Sequence, residues 1–124
     1  MPTKKRVLCV SWLEPLLKSR KELLEAAGLF VTSAYGSDEA ARICRLDHDF
    51  NLIVLGYSIP RSDKIALVEL LRANCKAPIL SIRRHGDPPL REAEFSIDSD
   101  NERDVLVAAA KLAMGMKQAG DAIG

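Results

Sequence analysis

Apolar residues occur along this chain in short dense runs that alternate with longer stretches of helical spacing. RVLCVSW, residues 6–12, is apolar and β-branched after a polar start and predicts a buried strand. In the EPLLKSRKELLEAAG that follows, Leu16, Leu17, Arg20, Leu23, Leu24 and Ala27 keep helical spacing. Pro15 suits a first helical turn, and Gly28 suits the position just past a helix end. LFVTSA, residues 29–34, predicts a second strand. In GSDEAARICRL, Ser37 is placed to cap a helix, Asp38 and Glu39 favour its first turn, and Ala40, Ala41, Ile43 and Cys44 form its apolar face.

NLIVL, residues 51–55, is nearly all apolar, as a central parallel strand buried on both faces should be. SDKIALVELLRAN predicts a third amphipathic helix with Ile65, Leu67, Val68 and Leu71 turned inward. APILSI, residues 77–82, predicts a fourth strand, and EFSI, residues 94–97, a weaker fifth. NERDVLVAAAKLAMGMK predicts a closing helix with Val105, Ala109, Leu112 and Met116 on one stripe.

Strands that alternate with helices imply one α/β domain, a doubly wound five-stranded parallel sheet with helices on both faces. The domain spans residues 1–124, with a core of about 5–117 and a frayed tail at 118–124. One link breaks the rhythm. RRHGDPPLREA, residues 83–93, is close to the shortest span a parallel crossover tolerates, and Gly86, Pro88 and Pro89 oppose a helix within it. A loop or a single turn is expected there, so the fourth helix is shortened or missing.

Charge narrows the function classes. Eighteen basic and seventeen acidic side chains nearly cancel, so no bulk attraction to nucleic acid or anionic membrane is expected. The basic TKKR start reads as a solubilising lead-in. No apolar run reaches membrane-spanning length, and no signal peptide is read at the N-terminus. Cys9, Cys44 and Cys75 are odd in number and lack zinc-ligand spacing; they read as buried free thiols of a cytoplasmic protein. His48 and His85 are isolated and form no metal site. No glycine-rich phosphate loop and no nucleophile–base–orienter spacing occurs, so the chain is not expected to be an enzyme.

Over nearly its whole length the chain resembles the receiver domain of two-component response regulators. RVLCV and LLKSRKELLEAAGLFVTSAYGSDEAARICR are similar to that family's first two strand–helix units. NLIVLGYSIPRSDKIALVELLRA is similar to its third strand, phosphorylation loop and third helix, with Pro60 four residues after Gly56 as the family spaces it. APILSI resembles the fourth strand, and Phe95 falls where the family often carries an aromatic switch residue. The resemblance implies a flavodoxin-like, receiver-like (βα)5 fold.

The family's working residues do not match. Its acidic pair after the first strand falls on Ser11 and Trp12, its phospho-accepting aspartate on Gly56, and its Ser/Thr after the fourth strand on Arg83. Its lysine at the end of the fifth strand falls on Asp98, counted three from Phe95, and the proline that usually follows it is missing. Asp63 lies in the loop beyond the site. Without paired carboxylates no Mg²⁺ or other cofactor is expected, and phosphoryl transfer, which rests on positioning and metal-assisted charge stabilisation, is not expected either.

In open parallel sheets ligands sit outside the carboxyl ends of the strands, and here that rim carries Ser11, Trp12, Gly56, Tyr57, Arg83, Arg84, His85 and Asp98. Three arrangements stay open. Arg83 and Asp98 form a swapped ion pair with Trp12 over the gap at Gly56; or Arg83, Arg84 and His85 hold an anion; or the loops solvate their own charge. The missing helix also leaves two options for Phe95 and the closing helix: an uncovered apolar patch that pairs with a partner, a homodimer included, or cover by Pro88, Pro89 and Leu90.

The function implied is that of a stand-alone, degenerate receiver, a pseudo-receiver in phosphorelay-type signal transduction. It would act by phosphorylation-independent contact with protein partners and would need neither nucleic acid nor membrane. The alternative is a regulator that senses an anion or phosphate ligand through Arg83 and Arg84.

Overall fold

The computed structural model describes residues 4–115. Five parallel strands form one sheet in the order β2-β1-β3-β4-β5: β1 Arg6–Ser11, β2 Phe30–Tyr35, β3 Leu52–Leu55, β4 Ile79–Arg83 and β5 Phe95–Asp98. Four α-helices accompany them: α1 Glu14–Ala26, α2 Ser37–Leu46, α3 Arg61–Arg72 and α4 Glu102–Ala113. The chain leaves β1 to one side for β2 and crosses to the other side for β3. Their carboxyl ends therefore flank the point where strand order reverses.

The all-apolar central strands follow from burial on both faces. Leu8 and Val10, Ile53 and Leu55, and Ile79 pack toward Ala40 and Cys44 of α2 and Leu67, Val68 and Leu71 of α3. Val7 and Cys9, Leu52 and Val54, and Leu80 and Ile82 pack toward Leu17 and Leu24 of α1 and Leu106 and Ala110 of α4. Burial raises the Cys9 thiol to about 12, so it behaves as a small apolar side chain.

Glycines mark two helix boundaries. Gly28, at φ 92°, follows the cap of α1, and the amides of Gly28 and Leu29 bond back to Glu25 and Leu24 at 3.0 and 3.2 Å. That is a Schellman ending, with Leu24 and Leu29 both buried beside it. Gly36, at φ 87°, takes the cap position of α2, so Ser37 is the helix's first residue and its hydroxyl caps nothing.

No helix joins β4 to β5. Leu90 enters the core on the α2–α3 side, while Pro88 and Pro89 stay exposed and accept bonds from Arg61 through their carbonyls. Arg72 at the end of α3 binds both carboxylate oxygens of Glu94 at 2.6 and 2.7 Å, and Glu94 also accepts the Ile79 amide at 2.9 Å. These ties stand in for the absent helix.

Two expectations are corrected. Phe95 packs on the α1–α4 face, opposite to the link, so the missing helix does not uncover it. The inward stripe of α4 is Leu106 and Ala110, whereas Leu112 is 62% exposed. Apolar residues on nearly every turn of that helix left its phase ambiguous, and the sheet decided it. Met116 and the 118–124 tail lie outside the described residues.

Candidate functional site

Gly56 directly follows β3, where the next side chain of the strand would point toward α1 and α4. A Cβ built on it would lie 2.6 Å from Nη1 of Arg20 and 3.3 Å from the Val10 carbonyl oxygen. The gap is therefore filled, and filled by an arginine from the middle of α1. Arg20 continues the buried stripe Leu17–Arg20–Leu24. Its side chain is 2% exposed, and it binds Glu102 side-on, Nε to Oε2 at 2.6 Å and Nη2 to Oε1 at 3.1 Å. Its guanidinium carbon lies 5.6 Å from the centre of the Tyr57 ring, within cation–π range. Glu102 is the first residue of α4, where the helix dipole favours an acid.

The end of β1 is tied by hydroxyls. Ser11 Oγ lies 3.0 Å from Ser58 Oγ and accepts the Leu13 amide at 3.1 Å. Ser58 Oγ also accepts the Trp12 amide at 3.0 Å, which links the β1 and β3 loops. The Trp12 ring packs with the α2–α3 core, on the other side of the sheet from Arg20. Arg20, not Trp12, occupies the space beside Gly56.

At the β4–β5 edge, Arg83 and Asp98 stand opposite each other in register. Their charged atoms are 3.8 Å apart, a loose pair, and Arg83 donates instead to the Asp87 carbonyl at 3.1 Å. Asp98 accepts the Asp100 amide at 2.8 Å and lies 3.1 Å from His85 Nδ1. The amide, followed by His85, lowers its pKa. His85 also meets Asp100 at 3.2 Å, so it faces acids and not Arg84. Arg84 reaches the other way, donating to the Tyr57 carbonyl at 3.3 Å.

Lys64 is the residue that inspection of the sequence did not single out. It lies in the first turn of α3 and is 5% exposed. Its Nζ donates to Ser81 Oγ at 2.8 Å and to the Ile82 carbonyl at 2.9 Å. Desolvation, then repulsion from Arg20 and Arg61, lowers its pKa to about 8. Tyr57, Arg61, Lys64, Arg83 and Arg84 line one crevice beside α3. Of the rim residues read from the sequence, Tyr57, Arg83 and Arg84 converge there, while Ser11, Trp12, Gly56, His85 and Asp98 do not, and neither does Phe95.

Strand order 2-1-3-4-5, parallel throughout, with α1 and α4 on one face and α2 and α3 on the other, decides the comparison with known structures. The fold is that of a response-regulator receiver domain. A receiver domain of a Francisella response regulator superposes with a TM-score of 0.78 at 18% identity, over 90% of this chain and 98% of that one. A response-regulator receiver protein from Burkholderia phymatum gives 0.77 at 18% identity, over 92% and 98%. NtrX from Brucella abortus, solved with ADP, gives 0.76 at 20% identity, and there the matched region is 26% of the longer chain. No protein-family model matches the sequence. No curated protein matches it either.

The receiver fold raises the matter of Mg²⁺, and the residues around Gly56 do not fit it. A hard cation needs carboxylate oxygens. The end of β1 offers a serine hydroxyl already engaged and an indole, and the nearby carboxylate of Glu102 is held by Arg20 through both oxygens. An arginine beside Gly56 would repel a cation placed there.

Proposed function

We propose that this chain is a pseudo-receiver, a signalling module of receiver fold that acts through contact with protein partners and without phosphorylation or Mg²⁺ at its strand-end site. The observation that carries the proposal is the Arg20–Glu102 pair beside Gly56. In phosphoryl transfer the protein supplies position and charge stabilisation, so the acceptor and the metal site are the chemistry. Here the acceptor position has no side chain, and a buried cation with its own carboxylate occupies the space. Such a pair holds the β3 loop, α1 and α4 in one arrangement independently of any phosphate. The module is then always in one state, and abundance or partner availability carries the signal.

Incubation with acetyl phosphate and Mg²⁺, followed by intact-mass measurement under mild conditions, tests this. No phosphoryl adduct is expected on the wild type. None is expected on Gly56→Asp either, because a new carboxylate meets Arg20 instead of a metal. A chelator-sensitive adduct on the wild type would overturn the proposal.

A further inference from the structure

The first turn of α3 and the end of β4 enclose a crevice of about 30 Å³. Lys64 contributes a buried ammonium to its wall, and both of that ammonium's partners, Ser81 Oγ and the Ile82 carbonyl, are uncharged. Among the described residues no carboxylate lies within ion-pair distance of it. In the same wall Arg83 Nε is buried without a hydrogen-bond partner. Arg61 and Arg84 donate only to main-chain carbonyls, those of Pro88, Pro89 and Tyr57. Four cationic side chains thus line the crevice against one carboxylate, Asp87. Arg61 and Lys64 also sit at the positive end of the α3 dipole, where a cation is disfavoured and an anion is held.

We propose that this crevice binds a tetrahedral oxyanion, a phosphate group seated against Lys64 and flanked by Arg61, Arg83 and Arg84. A buried ammonium without a counterion is unfavourable, and a bound dianion relieves it. Guanidinium groups match phosphate through paired N–H bonds. The enclosed volume is of the order of one such group, with any ester remainder left outside. The anion is either free inorganic phosphate or the terminal group of a small phosphate ester, since both present the same oxygens. The site is separate from the space beside Gly56, which Arg20 fills, and stands whether or not the chain signals by protein contact.

The charged groups that face Lys64 are Arg20 from α1, Arg61 from its own helix, Arg83 and Arg84 from β4 and its link, and Asp87 from that link. Because Lys64 titrates near 8, affinity for sulfate, which keeps its charge, falls as pH rises past about 8. The experiment is an amide-resolved NMR titration of the 124-residue chain, at constant ionic strength, using inorganic phosphate, sulfate, glycerol phosphate and chloride. Saturable shifts at Lys64, Ser81 and Arg83 are expected with phosphate and sulfate and not with chloride. Lys64→Met and the exposed-site variant Arg84→Gln should each weaken phosphate binding roughly ten- to a hundredfold, the range of a charge-assisted bond. Glycerol phosphate that binds as well as phosphate shows that the site accepts an ester terminus; a much weaker response restricts it to the free ion. Phosphate that binds no better than chloride overturns the site. So does phosphate binding that Arg84→Gln leaves unchanged, and that variant decides even if Lys64→Met does not fold.

Discussion

Two cations lie buried at the carboxyl ends of the sheet, one on each face, and they are treated differently. On the α1–α4 face Arg20 is closed off by a two-bond pair with Glu102 and by the Tyr57 ring. On the α3 face Lys64 has a hydroxyl and a carbonyl, and the crevice around it carries three arginines against one carboxylate, Asp87. The first arrangement has its counter-charge within the chain, although Arg20 Nη1 is left without a hydrogen-bond partner, and reads as a lock. The second, among the described residues, has no carboxylate within ion-pair distance of Lys64, and reads as a receptor. A group of the same sign at a similar depth thus does opposite work, according to whether its counterion belongs to the chain.

The comparison can be broken most sharply at Glu102. Glu102→Ala leaves Arg20 buried without its partner, and a stability loss of about 3 kcal/mol is expected in urea unfolding. Arg20→Met together with Glu102→Leu should restore most of it, because exchanging a buried pair for apolar side chains is often near neutral. A loss within ±0.5 kcal/mol for Glu102→Ala would mean the lock is not one.

Gly56→Ala comes next. Its Cβ would stand 2.6 Å from Arg20 Nη1 with the Val10 carbonyl behind, so a loss of roughly 1–3 kcal/mol is expected. The same substitution in an Arg20→Met background should be milder, and an equal loss in both would show that main chain, not Arg20, forbids the side chain.

Lys64 gives a smaller effect with a definite sign. Its folded-state pKa is lowered to about 8 from the ordinary 10.5, so between those values the unfolded chain binds the extra proton and folding stability rises with pH. Below about 8 both states are protonated and the burial penalty is present in full. Lys64→Met should therefore be as stable as the wild type or more so at neutral pH, and the difference between the two should shrink from pH 8 to 10.5. Taking the difference cancels the titration of Cys9, whose thiol both proteins share. A constant difference across that window would place the Lys64 charge in solvent.

The smallest effect lies at the opposite end of the sheet and serves as a control. Arg6, followed by the Asp49 amide, lowers Asp47 to about 2. This group contributes stability above the ordinary carboxylate range near 3.8, and that contribution is lost as pH falls toward 2. Arg6→Met should flatten the acid limb of the unfolding profile slightly and leave the Lys64 window untouched.

How the sequence and the structure divide the problem is clearest in single residues. Val7 to Val10 and Leu52 to Leu55 are apolar without alternation, and that alone announces strands buried on both faces. Gly86, Pro88 and Pro89 announced that the helix between β4 and β5 would be shortened or missing, and none is present there. That residue 56 is a glycine without a side chain was equally plain. What filled the gap was not. Arg20 stood on the inward stripe of α1 by its spacing, but its partner Glu102 lies 82 residues further on, and only packing brings α1 against α4. Helical spacing also gave the wrong stripe for α4, because Val105, Leu106, Ala109, Ala110 and Leu112 satisfy more than one phase.

Local chemistry set the strands, the helices and their order, since hydrophobic period, glycine stops and proline breaks act within a few residues of themselves. The parallel sheet followed because alternating strands and helices have few ways to bury both faces. Charge pairing was decided by tertiary structure alone. An ion pair depends on distance and on exclusion of water, and neither is a property of sequence separation. So the sequence determined a receiver-like frame with Ser11, Trp12, Gly56, Arg83 and Asp98 at its strand ends. The packing determined that Arg20 is answered from within the chain and Lys64 is not.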